Sequence, residues 1–131
     1  MRHDAERRWF LRRYRTHDVE AWLLGWTVEQ AIELHDHGGS AAAVIVLEGE
    51  LVETVAELGR TVSTAARWPG GSVHDLGPTH VHDLRNRSGA LATSLHVYSP
   101  PLAAMTFYER DAAGDLRAVR VDAVSAEAPW S

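Results

Sequence analysis

No cysteine occurs among the 131 residues. That excludes disulfides, zinc–thiolate sites, iron–sulfur clusters and a cysteine nucleophile, so any metal has to be held by His, Asp or Glu. Lysine is missing too: all 13 basic residues are Arg, which we attribute to genome composition. No apolar run approaches the roughly 18 residues that a membrane-spanning helix needs. The opening stretch MRHDAERRWFLRRYR is charged and has no apolar signal-peptide segment. A soluble cytoplasmic protein without a membrane partner is therefore expected. Six of the 13 basic residues cluster in one place, and the rest of the chain is acidic. Arg2, Arg7, Arg8, Arg12, Arg13 and Arg15 crowd the opening stretch, while the whole chain carries a net charge of −5. A basic stripe over the folded body, which nucleic-acid binding would need, is not there. The cluster reads instead as a solvated helix face. No apolar surface stripe demands a second copy, and a monomer is expected.

The length suits one domain with one core, and 45% apolar against 24% charged residues is an ordinary globular balance. Residues 1–17 read as a short N-terminal helical segment, with Trp9, Arg12 and Arg13 sharing a helix face at i, i+3 and i+4. From residue 18 the pattern changes to short apolar runs: 20–27, 41–47, 51–55, 61–67, 80–86, 90–98, 105–109 and 116–121. Turn signals separate them, among them Gly38-Gly39, Pro69-Gly70-Gly71 and Ser88-Gly89. Strands at this spacing predict an all-β antiparallel sandwich or barrel over 18–123, followed by a tail at 124–131.

Eight histidines are present, and their placement is informative. His35-Asp36-His37 is an H-x-H pair. On a strand, positions i and i+2 point to one face, and two imidazoles rooted roughly 7 Å apart can lean onto one ion. Asp36 then points away and is no natural third ligand. His82 lies 45 residues beyond His37. The intervening strands are enough to bring a later strand back beside the first, so His82 can complete a three-histidine face. His80 shares a face with His82 and is the second choice. Otherwise His80 and His74 are hydrogen-bonded or solvent-facing imidazoles, and His3 and His17 lie on the surface. Imidazole suits Fe, Zn, Cu or Ni, so ligand type alone does not select the metal.

In Ser94-Leu95-His96-Val97-Tyr98, strand alternation places hydroxyl, imidazole and phenol on one face. Such a row is costly to bury unless its members serve one another, as a Ser–His–Tyr hydrogen-bond chain. The competing reading is the polar outer face of a surface strand.

Together these segments resemble the cysteine dioxygenase family of cupins, over roughly residues 8–123. The first cupin motif, G-x5-H-x-H-x3,4-E-x6-G, is met by His35, His37 and Gly49, with Ala42 where a Glu ligand would stand. The second, G-x5-P-x-G-x2-H-x3-N, is met by Gly71, His82 and Asn86, with Gly77 and Thr79 in altered positions. HDHGGS and SLHVYSPPL are the most specific segments. The resemblance implies a cupin jelly-roll barrel and an Fe(II) site formed by His35, His37 and His82. It implies that Tyr98, supported by His96 and Ser94, reaches over the iron. It also implies that an N-terminal Arg grips the substrate carboxylate. Phe10-Leu11-Arg12 matches the family's Tyr-x-Arg, making Arg12 the choice and Arg8 the alternative. Ala42 also stands where animal members carry a cross-linked Cys, so Tyr98 acts unmodified, as in the bacterial type. The implied reaction is oxidation of cysteine to its sulfinate by O2, with a small-molecule thiol as partner. 3-Mercaptopropionate or another small thiol, and a metal-binding cupin without turnover, are the alternatives. A Zn or Mn cupin isomerase is disfavoured, because those usually keep the Glu absent at residue 42.

Overall fold

The computed structural model describes residues 9–56 and 63–123. Eleven strands are found among them, and no helix. Alternation of apolar and polar residues accounts for most of these strands. In β4 (Ala41–Glu48), Ala42, Val44 and Val46 are buried while Ala41, Leu47 and Glu48 are exposed. In β9 (Ala92–Ser99), Ser94, His96 and Tyr98 are buried, with Leu95 and Val97 between them only half-buried. A period of two with one face inward is the pattern of a strand whose sheet packs on another.

The strands form two antiparallel sheets. The five-stranded sheet runs β1 (Trp9–Arg15), β2 (Glu20–Trp26), β9, β4, β7 (Val73–Leu76). The six-stranded sheet runs β11 (Leu116–Ala123), β10 (Ala104–Arg110), β3 (Ala31–His35), β8 (Val81–Arg85), β5 (Glu50–Ala56), β6 (Ser63–Pro69). The sheets share a core built from Trp22, Leu24 and Trp26 of β2, Val44 and Val46 of β4, Leu51 of β5, Leu84 of β8 and Met105 of β10, each at most 1% exposed. Full burial of one such side chain contributes about 1.5–3 kcal/mol, so this shared interior is what holds the sheets together.

The expected N-terminal helix is not seen. Trp9–Arg15 is a strand, with Phe10 opposite Leu24, Leu11 opposite Leu23 and Arg12 opposite Trp22. The helical spacing of Trp9, Arg12 and Arg13 was outweighed by the free edge of β2, which offers backbone partners along the whole segment. Residues 1–8, including Arg8, and the expected tail at 124–131 lie outside the described residues. Two short strands were not anticipated, β3 and β7. Each is five residues or fewer and carries polar side chains (Glu33 and His35, His74 and Asp75), so neither shows an apolar run.

Two residues fix the connections around the core. The Asn86 side chain is fully buried, donating to the carbonyls of Ala90 (2.7 Å) and Thr27 (3.2 Å) and accepting from Ser88 N and Oγ. It ties the end of β8 to the turn before β9 and to the end of β2. Gly49 makes the tight turn between β4 and β5 at φ +75°, where a Cβ would lie 2.6 Å from the Leu91 carbonyl oxygen. Both the conformation and the space demand glycine. Gly49→Ala is accordingly expected to cost more than about 1 kcal/mol in denaturant unfolding. Gly77→Ala, with nothing within 4 Å of its Cβ position, serves as the near-neutral control. Equal stability of the two variants would contradict this account of the turn.

Candidate metal centre

The bulge in β3 aligns His35 directly opposite His82 of β8, so two histidines enter the core as cross-strand neighbours. β3 stops at His35, and His37 lies just past its end. The H-x-H pair is therefore not carried on one regular strand, as the alternation argument assumed. Asp36 restores the geometry. Its backbone N–H donates to the Thr106 carbonyl (2.9 Å), and its carboxylate accepts from Thr106 N (3.0 Å), Tyr108 Oη (2.9 Å) and Gly38 N (3.0 Å). Pinned to β10 in this way, the segment turns His37 back toward His35.

The three rings converge. Centroids are 5.0 Å apart for His35–His37, 4.8 Å for His35–His82 and 5.1 Å for His37–His82. All three are at most 2% exposed, and one ligating nitrogen from each lies within 4.8 Å of the others. The tautomers of two follow from their partners. His35 Nδ1 lies 2.7 Å from the Glu33 carbonyl oxygen, which only accepts, so Nδ1 carries the proton and Nε2 keeps its lone pair. His82 Nδ1 lies 2.7 Å from a Glu53 carboxylate oxygen, with the same consequence. His37 Nδ1 is buried with no hydrogen-bond partner among the described residues. Three crowded, uncharged imidazoles with free lone pairs form a donor set that fits a transition-metal ion.

Electrostatics agree. Burial, reinforced by His82 and His37, holds His35 well below the usual histidine range. Burial, with His82, His96 and His80 adding to it, lowers His37 to about 2. Burial lowers His82 against the opposing pull of Glu53. Burial disfavours the charged form of Glu53, but hydrogen bonds from His80 and His82 overcome it and bring its carboxyl down to about 2.

The opposite wall comes from β9. Ser94 Oγ is 2.7 Å from His96 Nε2, and Tyr98 Oη is 3.5 Å from His96 Nδ1. Trp26 Nε1 donates to Ser94 Oγ at 2.9 Å, which extends the row beyond what the sequence revealed. This face is the buried one, so the surface-strand reading of Ser94, His96 and Tyr98 is set aside. The Tyr98 ring stands 5.5 Å from His37. Burial, with negative Glu20 adding to it, pushes the phenol far above its usual range, so Tyr98 stays an O–H donor. Ala42 is directly opposite Tyr98 on β4, and its methyl group leaves the phenol room.

Arg12 stands in the same cross-strand row as His96, through Trp22. Its Nη1 is 3.8 Å from buried Glu20, whose carboxylate also meets Arg15 at 3.6 Å. His80 is not one of the three converging rings; its Nε2 donates to Glu53 at 2.8 Å. His74 stacks on Trp68 at 3.9 Å and bonds Ser72 Oγ, and His17 is fully exposed. Sequence reasoning missed Glu53 and Glu20. Both are acids on strands, and only their near-complete burial distinguishes them.

The lowered histidines make stability depend on pH. The folded metal-free state binds fewer protons than the unfolded chain between the folded values and about 6.5. Stability is then fully present above pH 6.5 and is lost as pH falls, at roughly 1.4 kcal/mol per pH unit for each such histidine. Denaturant titrations of metal-free protein between pH 7.5 and 4.5 should show this fall, and a His35→Phe/His37→Leu/His82→Leu variant should flatten it. An unchanged slope in that variant would contradict the assignment.

Comparison with known proteins agrees with this architecture. The protein TT1209 from Thermus thermophilus has 26% identity, with 76% of this chain and 90% of that one covered at a TM-score of 0.66. An RmlC-like cupin protein from Desulfovibrio desulfuricans shares 19% identity over 76% of this chain and 89% of its own, TM-score 0.64. A cupin superfamily protein from Desulfitobacterium hafniense shares 10% over 76% and 83%, also at 0.64. The fold is that of the cupins. The model of the family described as cysteine dioxygenase type I matches residues 3–111, a span that contains all three converging histidines and the Ser94–His96–Tyr98 row. On that match, this chain belongs to the cysteine dioxygenase type I family.

Proposed function

We propose that the protein is a thiol dioxygenase that oxidises L-cysteine to cysteine sulfinate with Fe(II) and O2. The observation that carries this reading is the convergence of His35 and His82 on one sheet, and of His37 just past the end of β3, on a buried, protonated phenol from the other sheet, with an alanine where a carboxylate ligand would stand. The reaction balances as RSH + O2 giving RSO2H. Both oxygen atoms go to sulfur, which is oxidised as O2 is reduced, and no outside reductant is required. Fe(II), when bound, supplies the O2 chemistry and the affinity for a thiolate.

Everything else falls to the chain. His35, His37 and His82 bring three nitrogen donors and no negative charge, which leaves the anionic share of the site to the substrate. Tyr98 presents its O–H to the reacting end and cannot compete as an anion, because burial holds its proton. His96, Ser94 and Trp26 fix that phenol and stop it turning away. Arg12 pairs with the substrate carboxylate. Two guanidiniums share the single charge of Glu20, so the Arg12–Arg15–Glu20 group keeps one net positive charge for an incoming carboxylate. Arg8 remains the alternative for this role. Tyr98 is itself almost fully buried, and Trp22 and Val44, which flank His96 on the neighbouring strands, are buried with it, so bulk water is kept from the phenol.

His82→Ala is expected to abolish stoichiometric iron binding; full iron content with full activity would refute the ligand assignment. Tyr98→Phe should retain iron while turnover falls on the order of 10²-fold, the cost of removing one aimed donor. Arg12→Ala should raise KM about tenfold or more for cysteine and 3-mercaptopropionate, leaving cysteamine nearly unaffected. Oxygen uptake with these three thiols also ranks the substrates. Iron-loaded protein that consumes no O2 with any thiol would point to a metal-binding cupin without turnover.

A further inference from the structure

The metal-centre reading uses the polar cluster behind His82 only to settle that ring's tautomer, and gives no role to His80 or to the burial of Glu53. Glu53 on β5 is 6% exposed. A carboxylate buried to that degree is costly unless it is paired and hydrogen-bonded. It is paired twice on one oxygen: Oε2 accepts from His82 Nδ1 at 2.7 Å and from His80 Nε2 at 2.8 Å. The His80 and His82 rings stand 5.0 Å apart at 75°, so both N–H groups reach the same acceptor from different directions. Meanwhile Ala42, buried opposite Tyr98, offers no carboxylate to a bound ion.

We propose that Glu53 and His80 are positioning residues for the metal centre: Glu53 fixes the tautomer and angle of His82 and lends it negative charge, while His80 holds Glu53 in place. The inference rests on the metal-centre reading and deepens it. A ligating imidazole whose other N–H meets a carboxylate is oriented and made a stronger donor. Here that places an anionic charge one residue behind the ion without using a coordination position, which stays open for substrate. Glu53, His80 and His82 also bring ligand atoms within 4.8 Å of one another. The cluster is nevertheless closed by its own two hydrogen bonds, and a second ion would have to displace both protons.

The test uses full-length metal-free protein titrated with Co(II). Three quantities are read: affinity by chelator competition, the visible ligand-field spectrum, and the rise in Tm on metal addition. Wild-type protein should bind one Co(II). Glu53→Ala should weaken binding by about 10- to 100-fold and alter the spectrum. Glu53→Gln, whose amide oxygen still accepts from His82 but carries no charge, should fall between. His80→Ala should show a smaller loss in the same direction. A purely structural role would lower the Tm of metal-free and Co(II)-loaded protein alike, with affinity and spectrum unchanged, and that result overturns the proposal. So does a second Co(II) in the wild type that Glu53→Gln removes. Should Glu53→Ala fail to fold, Glu53→Gln and His80→Ala decide the matter. Wild-type protein that takes up no Co(II) refutes the centre itself, and this proposal with it.

Discussion

Three imidazole rings about 5 Å apart in a water-excluded interior can be kept only if they stay uncharged. Burial secures that, by lowering the pKa of His35, His37 and His82 together. Neutrality in turn leaves each ring with a lone pair that must go somewhere. Two rings direct their Nδ1 protons to fixed acceptors, the Glu33 carbonyl and the Glu53 carboxylate, so the free lone pair of each is on Nε2. The fold gives up some of its regularity for this arrangement. β3 is bulged to bring His35 opposite His82, and the chain breaks from strand geometry at His37.

The two sheets divide the labour. The six-stranded sheet carries His35, His82 and the acid that orients His82, and the segment leaving β3 carries His37. The five-stranded sheet carries the phenol and the chain that holds it, from Trp26 through Ser94 and His96 to Tyr98. Because the sheets meet across one packed core, the distance between the donors and the phenol is set by the packing of Trp22, Leu24, Val44 and Met105, together with the Asp36 bonds that pin the segment carrying His37 to β10. A site built between two rigid layers keeps its geometry without needing substrate to assemble it.

Much of this was legible in the sequence, for identifiable physical reasons. The 41–47 and 90–98 runs became β4 and β9. The Ser94, His96 and Tyr98 spacing placed three polar groups on one face, and their mutual bonding was the least costly way to bury them. H-x-H and a histidine 45 residues on pointed to one centre, although the route was a bulge and a loop instead of a plain strand. The N-terminal segment misled because Trp9, Arg12 and Arg13 satisfy a helical period by coincidence; a free strand edge, invisible in local sequence, decided the outcome. β3 and β7 were too short and too polar to announce themselves. Glu53 and Glu20 were hidden for a related cause. An acid on a strand looks solvated until the partner strands are known, and what singles these two out is burial against His82 and against two arginines.

The central claim is that three neutral histidine nitrogens, with no carboxylate among them, hold one metal ion between the sheets. Diffraction from iron-loaded crystals at the iron absorption edge tests it most directly. The account predicts a single anomalous peak about 2.1 Å from one ring nitrogen each of His35, His37 and His82, with Glu53 touching His82 and not the ion. A peak centred on Glu53 and His80, or a carboxylate oxygen from the chain in the coordination sphere, would contradict it.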